Sequence, residues 1–100
     1  MAAKYKDYEE YLVTTRYAVA EKSSQAIRVN PLPEQGLPVE TNVECSTKMR
    51  HQYPIGTIFK LRCRVTDKEG GTKFLFSHFS WPYEVLTEEE ANRFIRENYN

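Results

Sequence analysis

Between Ile55 and Thr66 the chain alternates with period two. Ile55, Thr57, Phe59, Leu61, Cys63 and Val65 fall on one side, and Gly56, Ile58, Lys60, Arg62, Arg64 and Thr66 on the other. Successive side chains of a strand point to opposite faces, so this segment reads as a half-exposed antiparallel strand with one apolar and one basic face. A lone strand cannot bury its apolar face, so the flanking sequence must supply partners. Asp67-Lys68-Glu69-Gly70-Gly71 reads as a hairpin turn, its glycines able to take positive φ. Thr72 to Phe79 then forms the partner strand, stopped by Ser80-Trp81-Pro82, and Tyr83 to Leu86 adds a short strand.

Upstream, Tyr11 to Ala20 is rich in β-branched residues, and Val13, Thr15, Tyr17 and Val19 share one side. A helical spacing through Tyr5, Tyr8, Leu12 and Val19 competes, but the run Val13-Thr14-Thr15 favours a strand. Glu21 to Ser24 turns the chain, and Gln25 to Asn30 returns it with Ile27 and Val29. Three prolines between Pro31 and Pro38 make a loop inside the domain, because proline neither donates to a ladder nor continues a helix. Val39 to Cys45 reads as a third strand with Val39, Thr41, Val43 and Cys45 on one face. Ser46 N-caps a short helical turn near residues 46–52 that directs Met49 to the core, and Pro54 ends it. At the C-terminus, Thr87 and Glu90 have capping-box spacing, Glu88 and Glu89 suit the positive end of a helix, and Ala91, Phe94 and Ile95 form its apolar stripe to about Asn98.

The expected fold is therefore mostly β (α+β): a small antiparallel bent sheet or SH3-like/OB-like barrel with one C-terminal helix. One hundred residues with 40% hydrophobic content support one β-rich domain over 11–100, with 1–10 as a tail ordered in part at best. The amino terminus shows no signal-peptide pattern and no stretch is apolar enough to span a bilayer, which points to a cytoplasmic protein with reduced thiols.

The net charge of zero hides a layout. Residues 1–45 carry net −2, 46–80 net +5 and 81–100 net −3. Neutrality overall argues against a dedicated polyanion binder, while the basic middle keeps single-stranded nucleic acid as a local question.

The register of the 55–79 hairpin decides that question, since a one-residue slip exchanges faces. With a three-residue loop, Arg64 faces Phe74, Arg62 faces Phe76 and Lys60 faces His78, Leu75 and Phe79 turn inward, and cations stand beside rings as single strands require. With a loop of two or four residues, Phe74 and Phe76 join Phe59, Leu61 and Cys63 inside, leaving Lys73, Leu75 and Phe79 out. Burying two phenylalanines is worth roughly 1.5–3 kcal/mol each, and Leu75 plus Phe79 gains about as much; the buried-phenylalanine register is preferred.

His78, Trp81 and Tyr83 lie within six residues and could anchor a partner. The preferred alternative makes Trp81 the largest core side chain. Tyr53, Trp81 and Tyr83 could instead wall a small pocket at a barrel mouth. Cys45, His51, Cys63 and His78 lack the paired spacing of a zinc site, and no nucleophile, phosphate or dinucleotide motif is present, so no metal, cofactor or catalysis is expected. The expectation is a non-catalytic module for protein binding or self-association, using Lys60, Arg62, Arg64, Lys73, His78, Trp81 and Tyr83. Nucleic-acid binding and a small-ligand pocket are the alternatives.

Overall fold

The computed structural model describes residues 9–17, 27–67 and 71–99. Its elements are β1 (Glu9–Tyr17), β2 (Ile27–Pro31), β3 (Val43–Glu44), α1 (Thr47–Gln52), β4 (Ile58–Asp67), β5 (Lys73–Phe76), β6 (Tyr83–Leu86) and α2 (Glu88–Tyr99). The strands form a nearly closed, barrel-shaped mixed sheet in the order β2-β1-β4-β5-β3, with β6 also on β4. The expected barrel with a C-terminal helix is what forms.

The alternating segment is the spine of this sheet. One edge of β4 pairs with β1, from Glu9↔Cys63 to Thr14↔Ile58. The opposite edge carries β6 against residues 58–61 and β5 against residues 64–67, end to end. Phe59, Leu61 and Cys63 point into the barrel, where they pack with Val13, Val29 and Leu75.

A second core lies outside the barrel wall. Leu12, fully buried, packs beneath Ala91 and Ile95 of α2, with Ile58, Leu86 and Phe94 around it. Tyr11-Leu12-Val13 is therefore buried on both faces, and the consecutive apolar residues of β1 follow from that double cover. Both helices begin as their sequences dictate. The Ser46 hydroxyl accepts from the Met49 amide at 3.2 Å, and Met49 is buried. The Thr87 amide donates to Glu90 Oε1 at 2.9 Å while the Glu90 amide donates to Thr87 Oγ1 at 3.1 Å, closing the capping box.

Several expectations are corrected. β1 starts at Glu9, inside the expected tail, and Tyr17 is exposed. Residues 18–20, the turn at 21–24, Gln25, Ala26 and the hairpin tip at 68–70 lie outside the described residues. The expected third strand shrinks to Val43–Glu44 and pairs with β5 in parallel, so the sheet is not wholly antiparallel. Val39 is exposed, because the Thr41 amide and hydroxyl both donate to Pro38 O and hold a turn there. Ile55 and Gly56 form a turn before β4, with Gly56 at φ 96°, and the partner strand is Lys73–Phe76, shorter than 72–79. Helix α2 runs one residue past Asn98.

The proline-rich loop contains a fitting that composition hides. Gln35 is buried, and its side chain caps the free edge of β1: Oε1 accepts from the Leu12 amide at 2.7 Å, and Nε2 donates to Leu12 O and Leu32 O at 2.9 Å each. Glu34 takes a left-handed φ of 73° to present it, a conformation that costs a non-glycine residue about 1 kcal/mol or more. Across the barrel, β2 and β3 do not hydrogen-bond as strands, and side chains latch the seam between them. Asn30 Nδ2 donates to Thr41 O at 2.9 Å; Arg50 Nη1 donates to Ile27 O at 3.0 Å and Nη2 to Cys45 O at 3.3 Å.

Candidate functional site

The two partners of β4 on its outer edge do not keep one register. From Arg64↔Phe76 to Leu61↔Tyr83, two residues of β4 (62 and 63) face six residues (77–82), four more than a regular ladder takes up. The excess is expelled as a large bulge, a device that re-aims side chains and interrupts pairing. It is closed by the Trp81 amide donating to His78 O at 3.0 Å and rooted by the Ser77 amide donating to Glu44 O at 2.9 Å.

The bulge carries rings. His78 stacks on Phe79 with centroids 4.6 Å apart and lies 5.9 Å from Trp81; Phe76 meets the edges of His78 and Trp81 at 6.4 and 6.3 Å. The Ser80 amide donates to His78 Nδ1 at 3.1 Å, with Ser80 Oγ 2.8 Å from the same nitrogen. An amide can only donate, so Nδ1 is the acceptor and the neutral ring holds its proton on Nε2. Phe79, at the end of this stack, is 75% exposed, the highest value among the exposed large apolar residues. The stack with His78 holds this side chain in place while leaving it open to water.

The hairpin register differs from both alternatives. Arg64 faces Phe76, Thr66 faces Phe74 and Asp67 faces Lys73, so five residues (68–72) form the connection. The preferred burial of Phe74 and Phe76 is overturned: Leu75 is the fully buried residue, opposite Val65, and both phenylalanines are half-buried on the outer side. The faces are those of the three-residue loop with the ladder shifted by two, but Phe79 does not turn inward. Trp81 is likewise not the core's largest side chain; it is half-buried within the ring cluster.

The remaining candidate residues separate. Lys60 is held by Glu84 at 3.2 Å and Glu10 at 4.0 Å and lies 5.6 Å from the Phe94 ring, so its charge is answered beneath α2. Arg62 pairs across the strands with Glu10. Arg64 is exposed opposite Phe76, with Glu44 opposite Phe76 on the other flank. Lys73 is exposed at the far end of β5. Tyr83 belongs elsewhere: its ring meets the edges of Phe59 at 5.7 Å and Tyr53 at 6.3 Å, filling the mouth where a pocket walled by Tyr53, Trp81 and Tyr83 was expected. A hollow of about 470 Å³ lies instead at the opposite mouth, among Leu37, Val65, Phe74 and Leu75.

The thiols are poor nucleophiles. Burial pushes the Cys63 thiol up to about 12 and raises that of Cys45, where the Arg50 guanidinium opposes the shift. Glu84 is engaged by Lys60 at 3.2 Å. Among the described residues no three metal-ligating side chains come together, and no helix is long and apolar enough to cross a membrane.

Sequence reasoning placed His78, Trp81 and Tyr83 next to Phe76 and Phe79; the structure keeps all of these together except Tyr83, which packs against Phe59 and Tyr53. The available signal was Phe76-Ser77-His78-Phe79-Ser80-Trp81-Pro82, dense in rings and too broken by serine and proline to stay in a ladder. The chain matches no protein-family model, no curated protein and no solved structure.

Proposed function

We propose that this chain is a non-catalytic interaction module that holds a partner protein through the ring-bearing bulge at residues 77–82. The observation that carries the proposal is Phe79, 75% exposed at the end of a stack with His78 and backed by Trp81 and Phe76. Building an insertion of four residues to expose a phenylalanine costs solvation and ordering, and a partner that covers the ring returns both. The charges around it favour a protein over a polyanion: Lys60 is held by Glu84 and Glu10, and an acid, Glu44, shares the register position of Phe76 with Arg64.

Selection of peptides from a displayed random library, with counter-selection against Phe79→Ser, tests this directly. Enriched peptides are expected to lose about 2 kcal/mol or more of affinity on Phe79→Ser, roughly thirtyfold. Peptides that bind Phe79→Ser and Trp81→Ala as tightly as the original chain would overturn it. Single-stranded nucleic acid is the second reading, favoured by the open His78–Phe79 stack beside Arg64. It requires binding to a mixed-sequence oligonucleotide that falls steeply with salt and is lost in Arg64→Ala.

A further inference from the structure

The edges of the sheet are not equally closed. β2 and β3 are joined across the seam by side chains, and Gln35 caps β1 beyond the end of β2. β6 pairs with β4 and, among the described residues, with no other strand. The ladder shows which backbone groups of β6 are spent. Leu12 turns its N–H and C=O away from β4, to Gln35 and Leu32, so Val13 turns towards β4, as does Thr15, whose O accepts from the Gly56 amide. These directions alternate along each strand of an antiparallel pair. Phe59, opposite Val13, therefore bonds to β1, while Ile58 and Lys60 bond to Leu86 and Glu84. Tyr83 and Val85 are left aiming N–H and C=O outward, and no hydrogen bond takes these groups up among the described residues.

The side chains stop short in the same place. In the rung Val13–Phe59–Val85 the first two are fully buried, yet Val85 is 46% exposed. In the neighbouring rung Leu12–Lys60–Glu84, Lys60 holds Glu84 from the inner side, and the Glu84 side chain is still 63% exposed towards the open edge.

We infer that β6 is a docking edge for an extended segment of a partner protein that reads apolar-basic-apolar. Added antiparallel, that segment exchanges main-chain hydrogen bonds with Tyr83 and Val85, sets its apolar side chains opposite those two residues and its basic one opposite Glu84. Opposite charges directly across a ladder favour pairing and like charges oppose it. A second copy of the chain fits worse. Centred on Glu84, it sets Glu84 against Glu84; centred on Val85, it is stopped at Thr87, whose amide is spent on Glu90 and whose carbonyl is spent on Ala91. The site does not use Phe79.

The test is NMR titration of the ¹⁵N-labelled chain with the peptide Ser-Thr-Val-Lys-Val-Thr-Ser, acetylated and amidated at its ends. Saturable amide shifts centred on residues 83–86 are expected, with binding about threefold or more weaker when the peptide's lysine is replaced by glutamate. Val85→Pro removes an outward N–H and no bond to β4, so it should abolish those shifts. N-methylation of both peptide valines removes the matching donors on the other side and should do the same without touching the fold. Phe79→Ser should bind the peptide as the original chain does, which separates this edge from the ring-bearing bulge. Undiminished binding by the N-methylated or the glutamate peptide, or no saturable shift at residues 83–86 with millimolar peptide, would overturn the inference. Shifts there that grow with protein concentration alone would also overturn it, by identifying a second copy as the occupant.

Discussion

The two halves of β4 have the same alternating sequence and different surroundings. Residues 58–61 are paired on both edges and covered on both faces, by the barrel interior on one side and α2 on the other. Residues 64–67 are paired, among the described residues, on one edge only, Arg64 and Val65 are both exposed, and beyond Phe76 the partner strand leaves into the bulge, where the Phe79 ring reaches water. A basic side chain in the first half becomes structural, as Lys60 does between Glu84 and Glu10. In the second half Arg64 stays exposed beside Phe76. The second layer, rather than the strand's own residues, decides which half stays open to water.

The largest break in this contrast is Phe59→Ala. Phe59 is fully buried and meets the rings of Tyr53 and Tyr83 at 5.3 and 5.7 Å. Its loss should cost about 3–5 kcal/mol in urea denaturation. Next comes Gln35→Ala, which leaves the buried Leu12 amide without its acceptor and removes a donor from Leu12 O and Leu32 O; a loss of about 2–3 kcal/mol is expected by the same measurement.

Alkaline titration probes the covered half in another way. Burial, with Glu9 beside it, pushes the Tyr11 hydroxyl up to about 12, and burial holds the Cys63 thiol at about 12. Both groups keep their protons more tightly in the folded chain, so their contribution is complete below the unfolded values and is lost as pH climbs through the folded ones. Stability should therefore be level below about pH 8 and fall between about pH 9 and 12. In Cys63→Val the part of the fall in the thiol range should shrink to what the raised thiol of Cys45 contributes; an undiminished fall there in chemical denaturation at stepped pH would contradict the assignment.

Thr87→Ala removes one arm of the capping box and loosens the helix that covers the first half, at about 1 kcal/mol by thermal melting. Phe79→Ser is the smallest expected change, within about 0.5 kcal/mol, since the ring is exposed. A large destabilisation there would mean that the bulge supports the fold, and the contrast between the halves would fail.

The elements whose signal is local were legible. The alternation through Phe59, Leu61 and Cys63, the Ser46 N-cap and the Thr87–Glu90 box each depend on residues within a few positions of one another, and each forms as its spacing indicates. Val39 to Asn42 carries the same β-branched pattern and still makes a turn, because only Val43 and Glu44 find a partner strand. Of the candidate site, His78 and Trp81 gather with Phe76, which stands opposite Arg64, while Lys60 and Tyr83 are drawn into packing.

By itself the sequence determined the element types, the inward face of β4 and the caps of both helices, since periodicity and capping are short-range physics. Only the tertiary structure decided that the connection after Asp67 takes five residues, that Gln35 serves as an edge for β1, that the seam is held by Asn30 and Arg50, and that four surplus residues emerge as a ring-bearing bulge. Each depends on which distant backbone groups remain unpaired once the barrel has nearly closed, and chain-local pattern holds no record of that accounting.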